Sequence, residues 1–99
     1  MCGAPDQDQL PALEVGKGEA VVHGTVLRGE QGLPGAYVRL LDGTGEFTAE
    51  VQTSATGYFR FYAAEGDWTL RTLAPGQSVD TAVTAKRGEA VAARVEVPA

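Results

Sequence analysis

The chain holds one cysteine and one histidine among its 99 residues, so side chains able to do chemistry are few. Cys2 carries the most reactive atom. Once Met1 is removed, its thiol stands beside an α-amine that titrates near pH ~8. That amine can act as a local base or, when protonated, favour the thiolate. Such a thiolate could take up a sulfane sulfur and pass it on. The competing reading is an incidental thiol, because no base or cationic pocket lies near it in sequence. His23 stands alone, and metal sites draw on several His, Cys or carboxylate groups, so it reads as a sheet residue. Asp42, Glu46, Glu65 and Asp67 are loop carboxylates whose spacing fits no calcium loop. Ser54 and Ser78 have no nucleophile motif around them. No metal or cofactor is expected, and no catalytic residue beyond the candidate thiol of Cys2.

The other functional candidates are tyrosines and arginines: Tyr37, Arg39, Tyr58, Arg60, Tyr62 and Arg71. Aromatic residues and arginine are the usual anchors of protein interfaces. Tyr58, Arg60 and Tyr62 alternate with Phe59 and Phe61, so a strand sets the two groups on opposite faces. The six form a candidate binding surface on outward faces. The competing reading is that long side chains cover a sheet and pair with Glu50 or Asp67.

Composition narrows the partners. Lys and Arg number 8 and Asp and Glu number 13, a formal charge of −5, which argues against nucleic acid or an anionic membrane. A lone cysteine allows no internal disulfide. There is no basic region followed by an apolar one of the kind a secretory signal needs, and the longest apolar runs are too short to cross a bilayer. Met1-Cys2-Gly3 looks like a lipoprotein cysteine without the apolar segment that precedes one. A cytoplasmic location, with Cys2 reduced, is the expectation.

Residues 1–18 have no sustained period and read as a flexible tail, with Leu10, Leu13 and Val15 as its aliphatic anchors. Residues 19–99 read as the folded domain. Its strands are expected at 19–28, 36–42, 46–53, 58–63, 67–73, 77–84 and 90–97, separated by glycine-rich turns. In the first, Val22, Gly24 and Val26 share one face, and Val21, His23, Thr25 and Leu27 the other. Gly24 in a strand interior suggests an aromatic ring packed over it, Trp68 or Phe59. Gly32 is expected at positive φ in the 29–35 turn. Phe47, Ala49 and Val51 share a face. The 58–63 and 67–73 strands are expected to form a central hairpin around Glu65-Gly66-Asp67, with Phe59, Phe61, Trp68 and Leu70 in the core and Tyr58, Arg60, Tyr62 and Arg71 on the other face. Seven strands with turns every 8–12 residues predict an all-β antiparallel sandwich of two sheets.

Three segments carry a resemblance: Val22-His-Gly-Thr-Val, Gly32-Leu-Pro-Gly-Ala-Tyr-Val-Arg-Leu, and Thr56-Gly-Tyr-Phe-Arg-Phe followed by Gly66-Asp-Trp-Thr-Leu. In that order they resemble the carboxypeptidase regulatory-like domain, a transthyretin-like (prealbumin-like) sandwich, with Trp68 where that family usually has tyrosine. The match covers residues 20–73. The whole chain is more similar still to a family of small, uncharacterised actinobacterial proteins. They share Met-Cys at the start, Ala36-Tyr-Val-Arg-Leu-Leu-Asp, Phe47-Thr-Ala-Glu-Val, and the stretch from Phe59 to Arg71. That family is encoded beside a thiosulfate sulfurtransferase and named for sulfur metabolism. The resemblance implies a role in sulfur handling, without an assigned activity or catalytic residues. The transthyretin-like hydroxyisourate hydrolases rely on several histidines and a C-terminal Tyr-Arg-Gly-Ser, which this chain lacks.

The function expected is that of a non-enzymatic accessory or binding module, tied to sulfur metabolism through a thiosulfate sulfurtransferase partner. The alternatives are a sulfur carrier that uses Cys2 and a purely structural or oligomeric sandwich. Either a monomer or a homodimer is compatible, the latter through edge strands such as the valine-bearing last one.

Overall fold

The computed structural model describes residues 19–98. The strands are β1 (Ala20–Arg28), β2 (Gln31–Gly32), β3 (Tyr37–Leu41), β4 (Phe47–Gln52), β5 (Tyr58–Ala63), β6 (Gly66–Ala74), β7 (Gln77–Ala85) and β8 (Ala90–Val97). All seven expected strands are present, and β2 is an added two-residue strand within the expected 29–35 turn. One sheet centres on β1, with β2, β5 and β8 paired to it; the other runs β4-β3-β6-β7. The pairings are antiparallel except β1 with β8, which runs parallel from Val21↔Ala90 to Arg28↔Val97. That parallel pairing requires the chain to return to the first sheet from the second, through the Lys86–Glu89 turn.

The two sheets face each other across Val22, Val26, Val38, Leu40, Phe59, Phe61, Leu70 and Val95. Phe59 and Leu70 are fully buried, as their alternation predicts, and Trp68 is partly buried against the same cluster. Trp68 keeps its indole N–H at the rim, donating to the Ala64 carbonyl at 2.9 Å.

The central pair of strands is not a hairpin. β5 pairs with β1, while β6 pairs with β3 and β7 in the opposite sheet. The chain crosses the core between Ala63 and Gly66, which takes φ 144°. Phe59 and Phe61 therefore meet Trp68 and Leu70 across the sandwich, the arrangement that buries both apolar faces at once. The same crossing separates Arg71 from Tyr58, Arg60 and Tyr62.

Two glycines act differently from the expectation. Phe59 is the cross-strand partner of Gly24, but the closest approach is backbone: a Cβ there would sit on the carbonyl of Ala93, its parallel neighbour, so the glycine admits a backbone. Gly32 is not at positive φ. A Cβ on it would strike the Thr56 carbonyl, and the positive φ values of that segment belong to Gly29 and Gly35, at 67° and 73°; across from Gly32, Gly57 takes φ 84°, packed between Val26 O and Leu33 N.

Phe47 also departs from the expected face. A register shift in the β3–β4 ladder pairs Leu40 with Ala49 but Leu41 with Phe47. Thr48 is the extra residue, and such a bulge reverses the side chains beyond it. Ala49 and Val51 pack against the core while Phe47 stands outside, 60% exposed. Among the described residues, no helix is long and apolar enough to cross a membrane.

Candidate functional site

Strand alternation divides the six tyrosine and arginine candidates between opposite sides of the molecule. Tyr58, Arg60 and Tyr62 lie on the outer face of the β1-centred sheet, where Arg60 is paired with His23 and Tyr58 with Thr25. Tyr37, Arg39 and Arg71 lie on the outer face of the β4-β3-β6-β7 sheet.

The first face is tied together by hydrogen bonds. Arg60 Nε donates to Tyr58 Oη at 3.1 Å, and its guanidinium carbon lies 5.5 Å from the Tyr58 ring centre. Tyr58 Oη is 3.3 Å from His23 Nδ1. Arginine can only donate, so the phenol oxygen accepts from Arg60, and the direction of its bond with His23 Nδ1 follows the imidazole tautomer. Burial first, and the positive charge of Arg60 second, push His23 below its ordinary 6.5. Arg60 is only 9% exposed, so it props Tyr58 and offers little surface of its own. An open groove of about 460 Å³ runs beside this row, lined by His23, Thr25, Leu27, Tyr58, Ala92 and Arg94 among others.

The second face presents more side-chain surface. Strand register aligns Glu50, Arg39, Arg71 and Asp80 in one row across β4, β3, β6 and β7. Two neighbouring arginines would repel, but each is paired on its far flank. Arg39 Nε meets Glu50 Oε2 at 2.7 Å. Arg71 Nε and Nη2 meet Asp80 Oδ1 and Oδ2 at 2.9 and 3.1 Å, a bidentate pair. The Arg71 hydrogen bond holds the Asp80 carboxyl below its ordinary value. On one side of the charged row stand Tyr37, 44% exposed, and Leu73; on the other stand Phe47 and Leu41. Arg39 reaches over Phe47, with 6.0 Å from the guanidinium carbon to the ring centre.

Phe47 is the residue of this face that alternation along β4 misses. The signal for it is in the turn. Asp42 N donates to Glu46 O at 2.9 Å, and counting outward from that pair sets Phe47 opposite Leu41, already on the outer side.

The remaining polar candidates serve the fold. Asp42 Oδ1 accepts from Thr44 N, Thr44 Oγ1 and Glu46 N at 2.9, 2.7 and 3.0 Å. These bonds, the Thr44 hydroxyl foremost, hold its carboxyl below the ordinary range. Ser54 Oγ accepts from the amides of Thr56 and Tyr58 and shapes the turn into β5. Asp67 accepts from Thr84 Oγ1 at 2.9 Å. Among the described residues, no group of three His, Cys, Asp or Glu is placed to hold a metal ion. Cys2 and the 1–18 tail lie outside the described residues.

Among solved structures, the Bacillus anthracis TIE protein superposes with a TM-score of 0.69 at 20% identity, over 79% of this chain and 16% of its own. GBS52, the minor pilin of Streptococcus agalactiae, gives 0.69 at 18% identity, over 82% of this chain and 44% of its own. At those identities the likeness is one of fold: an all-β sandwich of two sheets, consistent with a transthyretin-like or carboxypeptidase regulatory-like domain. Relatives in sequence are closer. Two uncharacterized proteins of Mycobacterium tuberculosis are each 51% identical over 85 residues, 84% of this chain and 85% of theirs. An uncharacterized protein of Mycolicibacterium smegmatis is 61% identical over 56 residues, 56% of this chain and 62% of its own. With residues 2–97 matching the family as a whole, the chain belongs to DUF1416, a family described as proteins of unknown function.

Proposed function

We propose that this protein is a non-enzymatic binding module that docks a partner protein on the outer face of the β4-β3-β6-β7 sheet. The observation that carries this is the joining of exposed Tyr37 and Phe47 to Arg39 and Arg71, each held by its own carboxylate. Aromatic and arginine side chains of this kind dominate interface energetics. Arginines already fixed in plane lose less freedom when a partner arrives. The partner in this reading is a thiosulfate sulfurtransferase, and the setting is sulfur metabolism in the cytoplasm. Support for that choice comes from the whole-chain resemblance to small actinobacterial proteins encoded beside such an enzyme. Co-elution of the purified chain with the sulfurtransferase in size-exclusion chromatography tests the reading. A complex that Tyr37→Ala abolishes is expected; separate elution of the two proteins overturns it.

A second reading has one observation in its favour: the family match begins at Cys2. In it the Cys2 thiolate accepts a sulfane sulfur from the partner. Mass spectrometry after incubation with the enzyme and thiosulfate would then show one added sulfur that Cys2→Ala abolishes. An unchanged mass rules this reading out and leaves the docking reading intact.

A further inference from the structure

Among the described residues, the two-residue β2 and the longer β4, β5, β7 and β8 each have a neighbouring strand on one side only. An edge of this kind is a template for another strand unless something blunts it. The β4 edge carries the bulge opposite Leu40 and Leu41. The β8 edge has no such device: its register with β1 is unbroken over its whole length, and Pro98 lies just beyond its end.

The β8 sequence is also self-complementary. Arg94 and Glu96 lie two residues apart on the outer face, with opposite charge. Their mutual contact within the chain is loose, at 3.7 Å with side chains 65% and 69% exposed, which leaves both able to take another partner. None of the other edges has this property. β4 carries an acid without a base, β5 a base without an acid, and β7 an acid without a base.

Backbone direction agrees. Val21 N donates to Glu89 O at 3.0 Å. A parallel ladder continued from that bond uses the odd-numbered amides and carbonyls of β8 on β1. Those of Ala90, Ala92, Arg94 and Glu96 are left directed at the open edge.

We propose that β8 pairs antiparallel with β8 of a second copy about a two-fold axis through Val95. In that register Arg94 of each copy lies opposite Glu96 of the other. Both positions carry edge-directed backbone groups, so each pair exchanges main-chain hydrogen bonds as well as a cross-strand ion pair. A shift that centres the axis on Arg94 would oppose two arginines, so charge selects the register. The interface is isologous and closes at two copies. It joins the two β1-centred sheets into one and brings the two Arg94-lined grooves to its seam. The β4-β3-β6-β7 outer face stays open, so this inference is independent of the docking reading.

Analytical ultracentrifugation of the full chain over a concentration series tests the pairing. A monomer–dimer equilibrium is expected. Arg94→Glu and Glu96→Arg should each weaken it by roughly tenfold or more, because each sets like charges opposite twice. The double variant R94E/E96R restores opposite charges across the axis and should recover the parent dimer. Circular dichroism confirms that each variant is folded. A chain that stays monomeric overturns the proposal. So does a dimer indifferent to both single reversals, or one that the double reversal does not restore.

Discussion

Thr53 and Thr72 are both buried, at 6% and 0% exposed, yet exchanging each for valine should move stability in opposite directions. The Thr53 hydroxyl accepts from Ala36 N at 2.9 Å and donates to Leu33 O at 2.7 Å. It joins the approach to β3 with the segment after β4. Thr53→Val deletes that bridge and leaves a buried amide and a carbonyl unpaired. At about 1–3 kcal/mol for each orphaned group, partly relieved by relaxation, the loss is about 3 kcal/mol. The Thr72 hydroxyl, on the inner face of β6, has no hydrogen-bond partner. Its desolvation is uncompensated, and a methyl group of nearly the same size removes that penalty. Thr72→Val should therefore gain about 1–2 kcal/mol. For a domain of this size, each kcal/mol moves the midpoint by roughly 4–8 °C. Thermal unfolding followed by circular dichroism, with urea titrations for the free energies, reads both. If Thr72→Val destabilised the protein by about 1 kcal/mol or more, its hydroxyl would have a bound partner and the reasoning would fail. A Thr53→Val protein as stable as the parent would refute the bridge.

Three further outcomes follow from local geometry. Gly57→Ala sets a Cβ at φ 84° within 2.5 Å of Val26 O and 2.8 Å of Leu33 N. It should cost about 3 kcal/mol in urea unfolding, and a loss under about 1 kcal/mol would contradict the close approach. His23 should titrate below 6.5 by NMR; Arg60→Met should raise its pKa only part of the way back, because burial is the larger cause. Since the fold disfavours the charged imidazole, its contribution to stability is full above 6.5 and falls as pH drops toward the lower folded value. A His23 titrating at or above 6.5 would argue against the buried, arginine-facing site. Asp42 and Asp80 shift the same way from 3.8, so their contributions are present above that value and disappear as pH falls through their lower folded values. Asp42→Asn should flatten the acid limb of the stability curve, and an unchanged limb would show that the Thr44 and Glu46 contacts do not persist in solution.

The strands and their buried faces were legible because each is short, alternating and bounded by glycine turns. Val22, Val38, Phe59, Phe61 and Leu70 all lie where alternation sets them. Pairing was harder to read. Glu65-Gly66-Asp67 looks like a hairpin turn, but the aromatic faces on either side bury more area by closing on each other across the core. Gly24 carried a signal of close approach, met by backbone, whereas Gly32 read as a positive-φ turn residue and proved to be a second close approach of backbone. Phe47 shows the limit of strict alternation, since one inserted residue in β4 reverses a face. The six tyrosines and arginines fall on two outer faces, a division that followed from pairing: the crossing at Gly66 sets Arg71 on the side opposite Tyr58. Glu50 was expected to pair with an outward side chain and meets Arg39, Asp67 accepts from Thr84, and the Arg71–Asp80 pair needed the β6–β7 register to appear.

The central claim is that the β4-β3-β6-β7 outer face is a docking surface for a sulfurtransferase. It is tested most directly by isothermal titration of that enzyme into the full chain and into variants of each face. Saturable binding is expected, weakened by about 2 kcal/mol or more in Tyr37→Ala and Phe47→Ala, the scale of an interface anchor, and unchanged in Tyr62→Ala. No binding by the parent chain, or equal losses on the two faces, would contradict it.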